Sequence, residues 1–172
     1  MLLLASMRIP YRKPGKFSQI VADPLMTTAK LNELKAELEK LKQYLHPQAA
    51  AEVSRLAELG DFSENAEYQL AKGRLRGINS AIFRLGKQID GAVIINSDRQ
   101  TDTVKIGCKV TVEYENKQKI FQILGSAETN PSRGIISHNS PIGAALIGHK
   151  IGEIIQIKLS DKEVGYKIIG IE

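Results

Sequence analysis

Leu31, Leu34, Leu38, Leu41 and Leu45 recur at alternating spacings of 3 and 4 residues, the seam of a coiled-coil helix. Thr28 is placed to cap its start. His46-Pro47 interrupts the pattern, and because Pro47 removes a helix hydrogen bond a kink is predicted there. The helix resumes through Ala49, Val53 and Leu56 to Leu59, with alanine filling at 49–51. Gly60 breaks it. A second seam follows at Tyr68, Ala71, Leu75, Ile78, Ile82, Leu85 and Ile89. Two arms of roughly 27 residues give a rod of about 40 Å at about 1.5 Å per residue. Neither arm would be stable alone, so the two seams must bury each other in an antiparallel hairpin. Gly73, Gly77 and Gly86 lie off the seam at about 1 kcal/mol each relative to Ala, and the pattern offers no reason for them.

Beyond Asp90-Gly91 the period changes. Residues 96–103 are polar and read as a linker. Val110, Val112 and Tyr114 then alternate, Glu115-Asn116-Lys117 turns, and Ile120–Leu124 returns as a strand. Ser140-Pro141 opens a short helix, with Ser140 at the N-cap and Pro141 at the first position, and Gly148 closes it. Glu153–Leu159 and Val164–Ile171 read as a final hairpin. The fold class is α+β: a helical hairpin followed by a small antiparallel sheet with one helix. The predicted divisions are an extension at 1–25, disordered or translated from a start codon called too early, a hairpin at 26–95, the linker at 96–103 and a C-terminal domain at 104–172.

The turn of the hairpin carries the chemistry. Asp61 and Glu64 are three residues apart, which places both carboxylates in the first turn of the second arm and on one face. Asp-x-x-Glu is also a capping-box pattern, with Asp61 as the N-cap and Glu64 reaching back to its amide. Both readings stand at this level. Glu67 is a first-turn acid favoured by the helix dipole, with a metal role as its alternative. Phe62 either closes the hairpin end or meets a partner.

Charge adds a second feature. The net charge of the 172-residue chain is +5. Much of the excess comes from Arg8, Arg12, Lys13 and Lys16 in the extension. Between Tyr68 and Ile89 the second arm has Lys72, Arg74, Arg76, Arg84 and Lys87 and no acid. At about 100° per residue, Lys72, Arg76, Arg84 and Lys87 fall within an arc of about 120° beside the seam. Such a stripe suits RNA phosphates, or is a solvated face. The single Cys108 excludes an intrachain disulfide and a cysteine zinc site. Aromatics at 5%, with no Trp, speak against a base-stacking platform or a large aromatic pocket. No run approaches membrane-spanning length. Leu2-Leu3-Leu4 is too short for a signal peptide, so a cytoplasmic location is expected.

Gly60-Asp61-x-Ser63-Glu64-Asn65-Ala66-Glu67-Tyr68-x-x-Ala71-Lys72 resembles the hairpin tip of the bacterial Gre transcript cleavage factors. Ile136-Ser137-x-x-Ser140-Pro141-Ile142-Gly143-x-Ala145-Leu146-Ile147-Gly148 resembles the C-terminal signature of the same family. The resemblance covers about residues 26–172. Ala71-Lys72 and 145–148 look like the GreA branch, which is favoured, and Arg74-Leu75-Arg76 like the more basic GreB branch. The resemblance implies a C-terminal domain like the FK506-binding proteins, docked at the rim of the RNA polymerase secondary channel. It implies that Asp61 and Glu64 help hold a catalytic Mg²⁺ shared with the polymerase and not bound tightly by this chain alone. The implied function is stimulated cleavage of backtracked nascent RNA at its 3′ end by a monomeric cofactor, not a self-sufficient enzyme. Rival readings are a Gre-like inhibitor that occupies the channel without cleavage, a peptidyl-prolyl isomerase, and a coiled-coil adaptor or chaperone. Both carboxylates argue against the inhibitor. An isomerase wants an aromatic-lined pocket, and this domain offers Tyr114, Phe121 and Tyr166.

Overall fold

The structure, a computed structural model, describes residues 23–58, 65–96, 102–115, 117–159 and 162–172. Of the expected extension, residues 1–22 lie outside this set, whereas Asp23, Pro24 and Leu25 are built into the fold.

The first arm runs through helix α1 (Thr28–Lys40), a π-helical turn (Leu41–Leu45) and helix α2 (His46–Ala57). Its N-cap is Thr27, one residue before the expected Thr28: the Thr27 hydroxyl accepts from the Lys30 N–H at 3.2 Å. The expected kink at Pro47 takes the form of the π turn. Proline has no N–H to give the carbonyl four residues back, and its ring crowds that carbonyl. The helix widens instead, and the His46 N–H bonds the Leu41 carbonyl, five residues back.

This extra residue corrects the expected seam. From Leu41 the inward face passes to His46, then to Ala49, Val53 and Leu56. Leu45 is turned out and is 39% exposed, whereas Ala49 is 4% and Leu56 2% exposed. The apolar residues after Pro47 stand one place later than the first three heptad steps require. A uniform α-helix would rotate them off the seam, and the π turn restores their phase.

The second arm is one helix, α3 (Ala66–Asp90), of 25 residues, about 38 Å long at about 1.5 Å per residue. Ala71 is buried, and Tyr68, Leu75, Ile78, Ile82, Leu85 and Ile89 are half-buried, so the expected seam faces the first arm. Gly73, Gly77 and Gly86 face open space, where an added Cβ would meet nothing. Packing therefore supplies no reason for them.

The C-terminal domain is a five-stranded sheet in the order β5-β4-β3-β7-β6. Its strands are β3 (Lys109–Tyr114), β4 (Lys117–Leu124), β5 (Ile135–Ser137), β6 (Ile154–Leu159) and β7 (Lys162–Ile171). Alternation puts Val110, Val112, Ile123, Ile155, Ile157, Tyr166 and Ile168 on one face, packed with Val104, Cys108, Ile136 and Leu146. Helix α4 (Pro141–Leu146) covers that core, capped by Ser140, which accepts from the Gly143 N–H at 3.0 Å. Gly143 lies against the Ser137 carbonyl with no room for a Cβ. The sheet is antiparallel as predicted, except that β5, an element with no clear pattern of its own, runs parallel to β4.

A further sheet joins the two ends of the hairpin. Strand β1 (Leu25–Met26) pairs in parallel with β2 (Val93–Ile94). Pro24 and Met26 carbonyls accept from the Val93 and Ile95 N–H groups at 2.8 and 2.9 Å. Met26 is fully buried. The 3-10 turn Ser126–Glu128 of the C-terminal domain packs on this pair, and Gly125 meets the Leu25 carbonyl so closely that a Cβ would overlap it.

The register set by the π turn is testable by truncation. Leu34→Ala and Leu56→Ala should each cost about 2–4 kcal/mol, whereas Leu45→Ala should cost less than about 1 kcal/mol. Urea unfolding of the three variants checks this. Equal losses at Leu45 and Leu56 would place Leu45 back on the seam.

Candidate functional site

Helix α3 is capped by Asn65, whose side chain accepts from the Tyr68 N–H at 3.2 Å and whose backbone is extended. The expectation that Asp61 caps this helix, with Asp61 and Glu64 in its first turn, is thus corrected: the helix starts at Ala66. The sequence favoured the earlier start because Asp-x-x-Glu is a sound capping pattern, but Asn65 competes for the same role and wins. Asp61, Phe62 and Glu64 lie outside the described residues, in the segment joining α2 to α3. Glu67 does lie in the first turn of α3, beside amides that carry partial positive charge.

All four stripe residues, Lys72, Arg76, Arg84 and Lys87, are exposed along α3. The Lys72 ammonium stands 5.8 Å from the Tyr68 ring centre and that of Lys87 stands 4.8 Å from the Phe83 ring centre. Phe83 itself is 63% exposed, an apolar surface within the basic face that charge counting does not reveal. Arg74 is engaged elsewhere: its guanidinium bonds Glu52 on α2 at 2.8 Å and ties the two arms.

The base of the rod holds a polar cluster that sequence reasoning missed. The Asp23 carboxylate accepts from the Leu25 N–H at 3.1 Å, the Ser126 N–H at 2.7 Å and the Ser126 hydroxyl at 2.8 Å. The Ser126 and Ser137 hydroxyls are 3.0 Å apart. His138 Nδ1 lies 3.4 Å from the same carboxylate. Burial by itself would raise the Asp23 pKa, but the donors from Ser126 and Leu25, with His138 nearby, hold it below the ordinary carboxylate value. Beside it, Glu128 grips the start of α1, accepting from the Thr27 N–H at 2.7 Å and the Thr27 hydroxyl at 2.5 Å. These partners are 101 and 103 residues apart in the chain, so no local pattern signals them.

The C-terminal sheet has a second face. A groove there is lined by Lys109, Thr111, Ile120, Gln122, Arg133 and Glu172 and contains no aromatic side chain. Tyr114 and Tyr166 meet in a tilted arrangement, ring centres 5.3 Å apart and planes at 42°, and with Phe121 they belong to the covered core side. None of these three rings lines that groove, so it is not the aromatic pocket that the isomerase reading needs. Among the described residues no three His, Cys, Asp or Glu side chains are grouped to hold a metal ion, and no helix is long and apolar enough to cross a membrane.

Residues 24–94 match the family described as Transcription elongation factor, N-terminal, and residues 99–172 match Transcription elongation factor, GreA/GreB, C-term. The chain is 38% identical to transcription elongation factor GreA of Acetivibrio thermocellus, over 86% of this chain and 94% of that protein. It is 39% identical to GreA of Neorickettsia sennetsu, over 81% and 90%. The solved structure of GreA factor homolog 1 of Thermus thermophilus is 23% identical, over 86% and 97% of the two chains, with a TM-score of 0.40.

The stripe and the Arg74 bridge should separate in stability measurements. Arg74→Gln breaks an exposed ion pair and should cost under about 1 kcal/mol. Each of Lys72→Gln, Arg76→Gln, Arg84→Gln and Lys87→Gln should stay within about 0.5 kcal/mol of the parent. Chemical denaturation at low and high salt checks this, and only the Arg74→Gln loss should shrink as salt rises.

Proposed function

We propose that this chain, which belongs to the GreA/GreB family of transcription elongation factors, acts on RNA polymerase by inserting its hairpin into the secondary channel and stimulating cleavage of backtracked nascent RNA. The observation that carries the reading is the pairing of a thin two-helix rod with a connecting segment whose sequence contains Asp61 and Glu64. A rod two helices wide and about 38 Å long suits a narrow channel, and the segment that joins its two arms contains two carboxylates, Asp61 and Glu64. With Asn65 as the cap of α3, the helix start does not call for Asp61 or Glu64.

The donor set suits Mg²⁺, which takes hard oxygen ligands and is commonly held by one or two carboxylates. Bound jointly by Asp61, Glu64 and the polymerase, the ion would supply Lewis-acid activation for phosphodiester hydrolysis. The reaction belongs to the polymerase active site, and this chain serves it as a cofactor. The exposed stripe of Lys72, Arg76, Arg84 and Lys87 then meets the phosphates of extruded RNA, a salt-sensitive contact. The C-terminal domain docks the factor at the channel rim. The protein works as a monomer, since one hairpin fills one channel, and in the cytoplasm, where its polymerase is.

Asp61→Asn and Glu64→Gln should each abolish stimulated cleavage while leaving polymerase binding nearly intact, as read with 3′-labelled RNA in stalled complexes at limiting Mg²⁺. Cleavage at the parental rate by either variant would remove the metal-holding role. Replacing Lys72, Arg76, Arg84 and Lys87 together with Gln should weaken action on long extruded RNA more than on complexes backtracked by a few nucleotides. That difference should shrink as salt rises. Equal losses on both substrates, without salt dependence, would reduce the stripe to a solvated face.

A further inference from the structure

We propose that Asp23 and Glu128 are positioning residues, which set the angle at which the hairpin leaves the docking domain and so place its tip. This rests on the cleavage-factor reading above. The two parts share one covalent connection, the polar stretch that follows Ile95 and that by composition reads as a linker. Among the described residues, side chains and backbone at the base of the rod bring the two parts together.

The cluster there has the right form. Strands β1 and β2 fasten the two ends of the hairpin to each other, so a grip on one holds both. Glu128 takes both the N–H and the hydroxyl of Thr27, the residue that caps α1. The grip is two-point and lies at the positive end of the helix. Asp23 adds a second anchor on the same turn, through the N–H and hydroxyl of Ser126, with its side chain 8% exposed. Ser126 is braced in turn by Ser137 on β5. Two anchors at separate points of the 3-10 turn resist rotation, where one would act as a pivot. The close seating of Gly125 on the Leu25 carbonyl removes the remaining slack.

A lever makes the consequence large. With a rod of about 38 Å, rocking by about 10° at the base sweeps the far end by roughly 7 Å. Catalytic geometry tolerates far less, since a misplacement of about 1 Å can lower a rate on the order of 100-fold. Neither Asp23 nor Glu128 lines the groove on the open face of the sheet, so their replacement leaves that face unaltered.

The test is the double variant Asp23→Ala with Glu128→Ala in the full chain, read in three ways. The maximum cleavage rate at saturating factor should fall at least tenfold, and the factor concentration for half-maximal effect should stay within threefold of the parent. Spin labels on Asn79→Cys of α3 and Lys119→Cys of β4, both exposed, should report a broadened distance distribution, with helical circular dichroism unchanged. The milder pair Asp23→Asn with Glu128→Gln keeps one acceptor oxygen at each site. It should give a smaller loss of rate and a smaller broadening, and it decides the matter if the alanine pair does not fold. A narrow, parental distribution, or a broadened one with a parental maximum rate, overturns the proposal. A parental chain that stimulates no cleavage would instead overturn the functional reading, leaving the label distances as the measure of the clasp.

Discussion

The molecule depends on one constraint: two helices with no other core must bury a narrow apolar seam in each other over their whole length. A two-helix rod has almost no interior, and among the described residues only Leu34, Ala49, Leu56 and Ala71 of its arms are buried. Every residue on the seam must therefore stay in phase. That requirement explains why Pro47 is accommodated by a π turn and not by a bend that would part the arms. It also explains why the seam passes from Leu41 to His46 and leaves Leu45 in solvent.

A rod that is well ordered along its length is useful only if its base is held. The cluster of Asp23, Thr27, Ser126 and Glu128 does this with charge-assisted hydrogen bonds, each carboxylate accepting from backbone and hydroxyl donors. Because the Asp23 pKa is held below its ordinary value, its contribution is fully present above that ordinary value. It is lost as pH falls through the lowered one. The carboxylate therefore stays ionised near neutrality. The C-terminal domain, with its own core under α4, supplies the fixed body against which the lever is set.

The candidate functional groups divide along this axis. Asp61 and Glu64 belong to the segment that joins α2 to α3, the stripe of Lys72, Arg76, Arg84 and Lys87 runs along α3, and the open sheet face lies on the C-terminal domain. In the proposed function each part calls for a different physical property: acidity at the tip, exposed cations along the arm, rigidity at the base. Phe83, exposed beneath Lys87, adds an apolar element to the arm that the charge pattern alone does not show.

The periodic parts were legible in the chain. The second seam, the first as far as Leu41, the strands β3, β4, β6 and β7 and the capped helix α4 follow from spacing alone, because burying one face of a helix or strand imposes a period on the residues themselves. The acidic pair and the basic stripe were equally visible, as residue types at fixed intervals. The π turn was half legible: a proline and a one-residue skip between Leu41 and Ala49 are both in the sequence, but only packing against α3 decides that the skip is absorbed as a wider turn. The start of α3 was misplaced because two capping patterns overlap at 61–65, and local propensity does not rank them. The pairing of β1 with β2, the parallel β5 and the clasp on Thr27 and Asp23 were illegible, since their partners are brought together only by the closed hairpin and the folded sheet. The order and phase of the elements are thus written in the chain, whereas the fixed angle between rod and domain exists only in the tertiary structure, where residues a hundred positions apart share hydrogen bonds.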